Sequence, residues 1–276
     1  MKFLAVFVLA LATATAFDLR SNEIHHLDVE VPVLDGPDGR ITNGKTATTG
    51  QFPYQVGLSI KKSALSSSWC GGSLIGKNWV LTAAHCTISA KSVTVYLGAT
   101  VRTSPEVSYN VDASDIIVHT GYNSKTIVDD ISLIKIPSVT YSSKIQVVKL
   151  PSIASTYSTY SGDNVIASGW GRTSDAVTTV TTNLQWADLV VISNTKCAAT
   201  YGTASVVASK ICCSTPNKVS TCQGDSGGPL VLASSKVQIG LTSFGAEKGC
   251  ELGYPVAFTR LTSYLNWIKS YTGISY

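Results

Sequence analysis

An all-β fold, a barrel or sandwich closed by one helix at the C-terminal end, is predicted by three observations. Roughly ten apolar runs of strand length recur between turn residues from Ile41 onward. The 276-residue chain is rich in Ser, Thr, Val and Gly and has one Met, a composition that favours strands over helices. Helical spacing of apolar residues is confined to the final segment. At 44% hydrophobic and 14% charged, the chain has the material for a full core and is not a disordered one.

In chain order, the first element is a leader. Residues 1–16, MKFLAVFVLALATATA, have a basic start at Lys2, an apolar centre and a small-residue end, Ala14-Thr15-Ala16. That is the pattern of a secretory signal peptide; it is too short for a membrane anchor, and no later run is long and apolar enough to span a bilayer. Residues 17–40 follow. They hold six acids (Asp18, Glu23, Asp28, Glu30, Asp35, Asp38) against Arg20 and Arg40, lack an apolar period and end in LDGPDGR. Pro and Gly make this an accessible linker, and Arg40 before Ile41 is an open site for tryptic cutting.

The strand-like runs are QVGLSI, GSLIGKNWVLTA, VTVYLGA, DIIVH, ISLIKI, NVIASGW, LQWADLVVI, GPLVLA, VQIGLTSF and PVAFTR. Many alternate apolar and polar residues, as a half-buried strand does. A Ser/Thr-rich loop is expected at 152–163. In TRLTSYLNWIKSYTG, Leu261, Tyr264, Leu265 and Ile268 fall at 3–4 spacing and Gly273 follows, which reads as one amphipathic helix with its stop signal.

Charge excludes one class of partner. From Ile41 on there are 18 Lys or Arg against 11 Asp or Glu, but the basic residues are scattered singly, so nucleic acid is not expected. The seven cysteines (Cys70, Cys86, Cys197, Cys212, Cys213, Cys222, Cys250) lack a CxxC and fit disulfides in a secreted chain better than a zinc site. Seven is odd, so one stands apart.

Three stretches carry chemistry: LTAAHC (81–86), DDISLIKI (129–136) and GDSGGPL (224–230). A serine hydroxyl is a weak nucleophile at neutral pH and needs a base within reach. Imidazole titrates near neutrality and can take and return a proton, and a carboxylate can fix its tautomer. His, Asp and Ser in this order, in a secreted β-rich chain, are far more specific together than singly.

With SGWGR at 168–172 and ITNG at 41–44, these motifs resemble the chymotrypsin/trypsin family of serine endopeptidases over residues 41–276. The resemblance implies two six-stranded antiparallel Greek-key β-barrels with a C-terminal helix and an active site between them. It implies His85 as base, Asp130 (rather than its neighbour Asp129) as the orienting acid and Ser226 as nucleophile. The N–H groups of Gly224 and Ser226 would hold the oxyanion. Cleavage after Arg40 would free the amine of Ile41 to pair with Asp225, switching on a zymogen; ITNG departs from the more familiar IVGG but keeps Ile first and Gly fourth. Disulfides are implied for Cys70–Cys86, Cys197–Cys212 and Cys222–Cys250, leaving Cys213 as a buried thiol. His119 takes a structural place, and His25 and His26 leave with the removed segment.

The same resemblance places the specificity pocket. Its floor is Ser220, which has no charge, so a Lys or Arg side chain would go unpaired there. Gly245 keeps one wall open and Val256 makes the back shallower and apolar. Ser243, Phe244 and Gly245 form the strand that pairs with substrate backbone, and Ser243 supports Asp130. The expected preference is Phe, Tyr or Leu, with an elastase-like preference for smaller apolar residues as the alternative. No metal or other cofactor is expected; the region of the family's calcium loop offers only Glu106. Expected partners are protein or peptide substrates, an Arg-specific activating protease and proteinaceous inhibitors, with the enzyme expected to be a secreted digestive monomer in extracellular fluid. A homologue that has lost activity and serves as a binding module is disfavoured by the intact His85, Asp130 and Ser226.

Overall fold

The computed structural model describes residues 24–26 and 41–276. The expected leader, Arg40 and most of the 17–40 segment lie outside the described residues. A short strand β1 (Ile24–His26) is followed by β2 (Lys45–Thr46). The next seven strands form one antiparallel sheet: β3 (Gln55–Lys61), β4 (Ser67–Gly76), β5 (Trp79–Thr82), β6 (Ser92–Leu97), β7 (Val107–Asp112), β8 (Ile116–Val118) and β9 (Ser132–Lys135). Their spatial order is β7-β6-β3-β4-β5-β9-β8. The last six form the second: β10 (Asn164–Gly169), β11 (Gln185–Ile192), β12 (Lys210–Ser214), β13 (Pro229–Leu232), β14 (Gln238–Ala246) and β15 (Val256–Arg260). Their order is β14-β13-β10-β11-β12-β15, and β15 pairs back onto β14 to close the barrel.

In each sheet three consecutive strands lie side by side and the fourth returns beside the first, as in β6-β3-β4-β5 and β13-β10-β11-β12. That is the Greek-key order. The first sheet has seven strands rather than six, because Ile116–Val118 pairs with β9 as a strand of its own. Besides the short β1, which falls in the segment expected to be a linker, and β2, two barrel strands were not read from the sequence. Val107–Asp112 was masked by its polar outer face, and Lys210–Ser214 by the lysine and paired cysteines within it.

Each barrel has its own core. Val56, Leu58, Ile60, Leu74, Val80, Val93, Val95 and Ile134 fill the first. Val165, Leu189, Ile211, Leu230, Ile239 and Phe258 fill the second. A third cluster joins them, with Trp69 of β4 edge-on to Trp170 just after β10 at 5.9 Å. Burying each aliphatic side chain of this size contributes about 1.5–3 kcal/mol.

Helix α1 (Ala84–Thr87) is one turn after β5, and α2 (Asn194–Tyr201) begins at Ser193, whose hydroxyl accepts the Lys196 N–H. Helix α3 (Leu265–Thr272) starts later than the periodicity predicts, since Leu261–Ser263 is a 3-10 turn and Tyr264 is not helical. Tyr264 instead donates its hydroxyl to Asp129 at 2.7 Å, while Leu261, Leu265 and Ile268 are buried in the joining cluster. Gly273 ends the helix in the left-handed conformation that glycine adopts without strain.

Candidate active site

Each chemistry-bearing stretch stands at the end of a strand. His85 sits on α1, directly after β5; Asp130 lies just before β9; Ser226 lies in the turn before β13. Strands β5 and β9 are paired neighbours, so the fold brings His85 and Asp130 together. Both are buried. Asp130 Oδ2 lies 2.9 Å from His85 Nδ1, and Asp130 Oδ1 accepts the His85 backbone N–H at 2.9 Å. The carboxylate therefore fixes both the ring and its backbone. Burial alone would raise the Asp130 pKa, but His85, Lys210 and the Ser243 hydroxyl outweigh it and hold the group ionised well below the usual carboxylate range. Asp129, with φ of 54°, turns away to Tyr264.

The Ser226 turn docks onto the first barrel. Gly71 of β4 donates its N–H to the Ser226 carbonyl at 2.7 Å, and Thr82 donates to the Gly71 carbonyl at 2.8 Å. Gly227 has φ of 74°, and a Cβ there would fall 2.1 Å from Thr82 Oγ1. Only glycine lets this turn reach the strand end that leads into His85. The Ser226 hydroxyl is buried and makes no hydrogen bond among the described residues. Gly224 has φ of 97°, and a Cβ there would strike Val180 Cγ1 at 2.5 Å. No hydrogen-bond acceptor takes the N–H of Gly224 or of Ser226 among the described residues.

Asp225 points the other way, into the second barrel. It is fully buried, and its oxygens accept the N–H groups of Gly171 (2.8 Å) and Cys222 (3.0 Å). Burial pushes its pKa up to about 7, against the pull of those two amides. This explains the glycines of SGWGR. A Cβ at Gly169 would lie 2.1 Å from Asp225 Oδ1, and one at Gly171 2.3 Å from Oδ2. Gly169→Ala is therefore expected to destabilise the fold by about 2–3 kcal/mol, measured as a lowered urea midpoint at unchanged slope. Ile41 is also fully buried, and Thr42 is bridged to Ser220 and bonds its carbonyl at 3.1 Å.

The pocket residues fall into two sets. Ser220 is buried, with its hydroxyl turned to the Thr221 carbonyl at 2.9 Å. A Cβ at Gly245 would meet only Val256 Cγ1, at 3.6 Å, so these two residues face each other across the wall. Ser243 donates to Asp130 at 2.6 Å. The Phe244 ring points elsewhere, into a cluster with Ile127, Tyr201 and Ala257, edge-on to Tyr201 at 5.3 Å. The Tyr201 hydroxyl bonds the Pro255 carbonyl and so anchors the backbone that presents Val256.

Disulfides join Cys70 to Cys86, Cys197 to Cys212 and Cys222 to Cys250, and Cys213 is a buried thiol whose pKa burial raises. Among the described residues, His, Cys and acid side chains gather as Cys70, His85 and Cys86 and as Asp175, Cys222 and Cys250. Their sulfurs are bonded to each other and offer no thiolate to a metal. His119 packs edge-on to Tyr264 and tilted against Trp267, and its Nδ1 accepts the Gly121 N–H. Lys210, missed in the sequence, is buried beside Ser243.

Two β-barrels with a buried Asp–His pair on one and a serine turn on the other define a serine protease. The Trypsin family profile matches residues 41–268, and the chain belongs to that family, whose members hydrolyse peptide bonds. It is 43% identical over 274 residues to a collagenase of Hypoderma lineatum, covering 99% of both chains. It is 47% identical over 238 residues to serine protease 1 of Drosophila melanogaster, covering 86% of this chain and 88% of that one. A solved structure titled HL collagenase superposes with a TM-score of 0.79 at 42% identity, over 86% of this chain and all of the other. Among the described residues, no helix is long and apolar enough to cross a membrane.

Proposed function

We propose that this is a secreted zymogen whose mature form cuts peptide bonds after apolar residues. The observation that carries the specificity is the pocket: an uncharged floor at Ser220 and an apolar wall where Val256 faces Gly245. A buried cation would have no counter-ion there.

In the mechanism, His85 takes the Ser226 proton as the hydroxyl attacks the substrate carbonyl. Asp130 holds the Nδ1 proton and stabilises the imidazolium. The N–H groups of Gly224 and Ser226 receive the negative charge on the carbonyl oxygen, in a turn already shaped by Gly224. His85 then donates its proton to the leaving amine, and water repeats the sequence on the acyl-enzyme. The substrate lies as an added strand along Ser243–Gly245. β1 already occupies part of that edge, pairing Ile24 with Ala246 and His26 with Phe244. Removal of residues 17–40 by an Arg-specific protease frees the edge and gives Asp225 its partner in the Ile41 amine. The mature protein acts as a monomer outside the cell, in digestion, on protein substrates, and proteinaceous inhibitors fit the same cleft.

The test is turnover of peptides that differ only before the scissile bond, Phe, Leu, Ala or Arg, before and after cleavage at Arg40. Phe or Leu is expected to lead, and only after cleavage. Leading turnover of the Arg peptide overturns the pocket reading. Val256 Cγ1 lies 3.6 Å from where a Cβ on Gly245 would stand, which favours a second reading, a preference for small residues, in which Ala leads. Val256→Gly separates the two: it is expected to raise kcat/KM for Phe over Ala by about tenfold. Similarity to the Hypoderma lineatum collagenase over nearly the whole chain places collagen in the protein-substrate panel.

A further inference from the structure

Lys210 is one of the largest fully buried side chains of the protein, an unusual place for an ammonium. Its Nζ donates to Ser243 Oγ at 2.8 Å and to Thr259 Oγ1 at 3.4 Å. Both hydroxyls end on the same residue. Ser243 donates to Asp130 Oδ2 at 2.6 Å, and Thr259 donates to the Asp130 carbonyl at 2.8 Å. An ammonium can only donate, so the single proton of each hydroxyl is left for Asp130.

The surroundings of this charge are defined on every side. Asp130 and Asp129 approach from the segment before β9 and favour the ammonium, while burial opposes it more strongly and brings its pKa down to about 8. Arg260 on β15 faces the Lys210 backbone, donating Nε to its carbonyl at 3.1 Å. Tyr264 binds Asp129, and His119 packs against Tyr264. The Phe244 ring lies 5.4 Å from Nζ, and Cys213 is a buried thiol on the same strand. Below pH 8 the lysine is charged, and the carboxylate that serves His85 has a second cation behind it.

We propose that Lys210 is a positioning residue of the catalytic machinery, acting through Ser243 to orient Asp130 and, by its charge, to extend the activity of His85 toward lower pH. The inference rests on the serine-protease mechanism given above. The charge argument is direct. A lone buried carboxylate favours the imidazolium; a carboxylate already compensated by an ammonium favours it less. His85 then sheds its proton, and becomes able to act as base, at a lower pH.

The experiment is the pH profile of kcat/KM for the cleaved enzyme and its Lys210→Met and Lys210→Gln variants. Both are expected to move the acid limb upward by about one pH unit, with KM moving little. Loss of packing alone would lower the melting temperature or reduce kcat at all pH values and leave the limb in place. The low-field proton resonance of His85 Nδ1–H, titrated in the same proteins, reports the shift without turnover. An acid limb and a resonance that titrate as in the parent protein, in either folded variant, overturn the proposal. An inactive parent enzyme would instead overturn the mechanism on which it rests.

Discussion

Asp225→Asn is expected to leave the fold intact and to lower kcat/KM of the cleaved protein by about 10²–10³, the loss seen when an oxyanion donor is removed. Asp225 sits between Cys222 and Ser226, so its side chain sets the turn that carries both N–H donors. The same substitution is expected to change the uncut chain differently. There the carboxyl is buried, and its pKa is raised to about 7 from an ordinary value near 4. Below pH 4 it is protonated in both folded and unfolded chains and contributes no pH dependence. Between pH 4 and 7 the unfolded chain releases the proton first, so folding stability falls as pH rises. Above pH 7 both states are ionised and the loss, on the order of 4 kcal/mol, is constant. Urea unfolding of the uncut protein should show this decline across pH 4–7, and the Asn variant should lack it. With the Ile41 amine supplying a cation, as proposed, the decline should shrink or vanish in the cleaved protein. A cleaved Asn variant with full activity would refute the switch.

Asp130→Asn is expected to lower kcat by about 10⁴ at neutral pH. An amide can donate to His85 Nδ1 and so places the ring proton on the nitrogen that must accept from Ser226. The buried environment adds a second effect. Lys210 would lose one of the two carboxylates that favour its charge, and a buried charge left less compensated destabilises by up to about 3–5 kcal/mol. Adding Lys210→Met to the Asn variant should recover much of the melting temperature while activity stays low. Recovery of activity along with stability would place the role of Asp130 in folding rather than in orienting His85.

Much of this was legible before any coordinates. Most strand runs of the two barrels follow from alternation and turn residues, and the three motifs single out His85, Asp130 and Ser226 by their resemblance to the family's pattern. The family pattern places the acid directly before the apolar run, which points to Asp130 rather than Asp129; in the fold Asp130 lies against His85 and Asp129 is turned to Tyr264 by a positive φ. Lys210 was not legible. A single lysine before Ile-Cys-Cys reads as a surface charge, and nothing local reveals that β12 runs beneath Ser243.

The glycines mark the same divide. Sequence alone determined that GDSGGPL bends sharply and that SGWGR belongs to the same family pattern. That Gly169 and Gly171 are small to make room for Asp225, more than fifty residues away, was decided by tertiary structure alone. The sequence by itself determined the β-rich class of fold and the presence of His, Asp and Ser in motifs that resemble a known family, because periodicity and residue type are local properties. Tertiary structure decided which charges face each other, which residues line the wall beside Gly245 and what packs behind Asp130. Those depend on distances between strands far apart in the chain, and on burial, which makes a charge separated from water depend on its nearest partners.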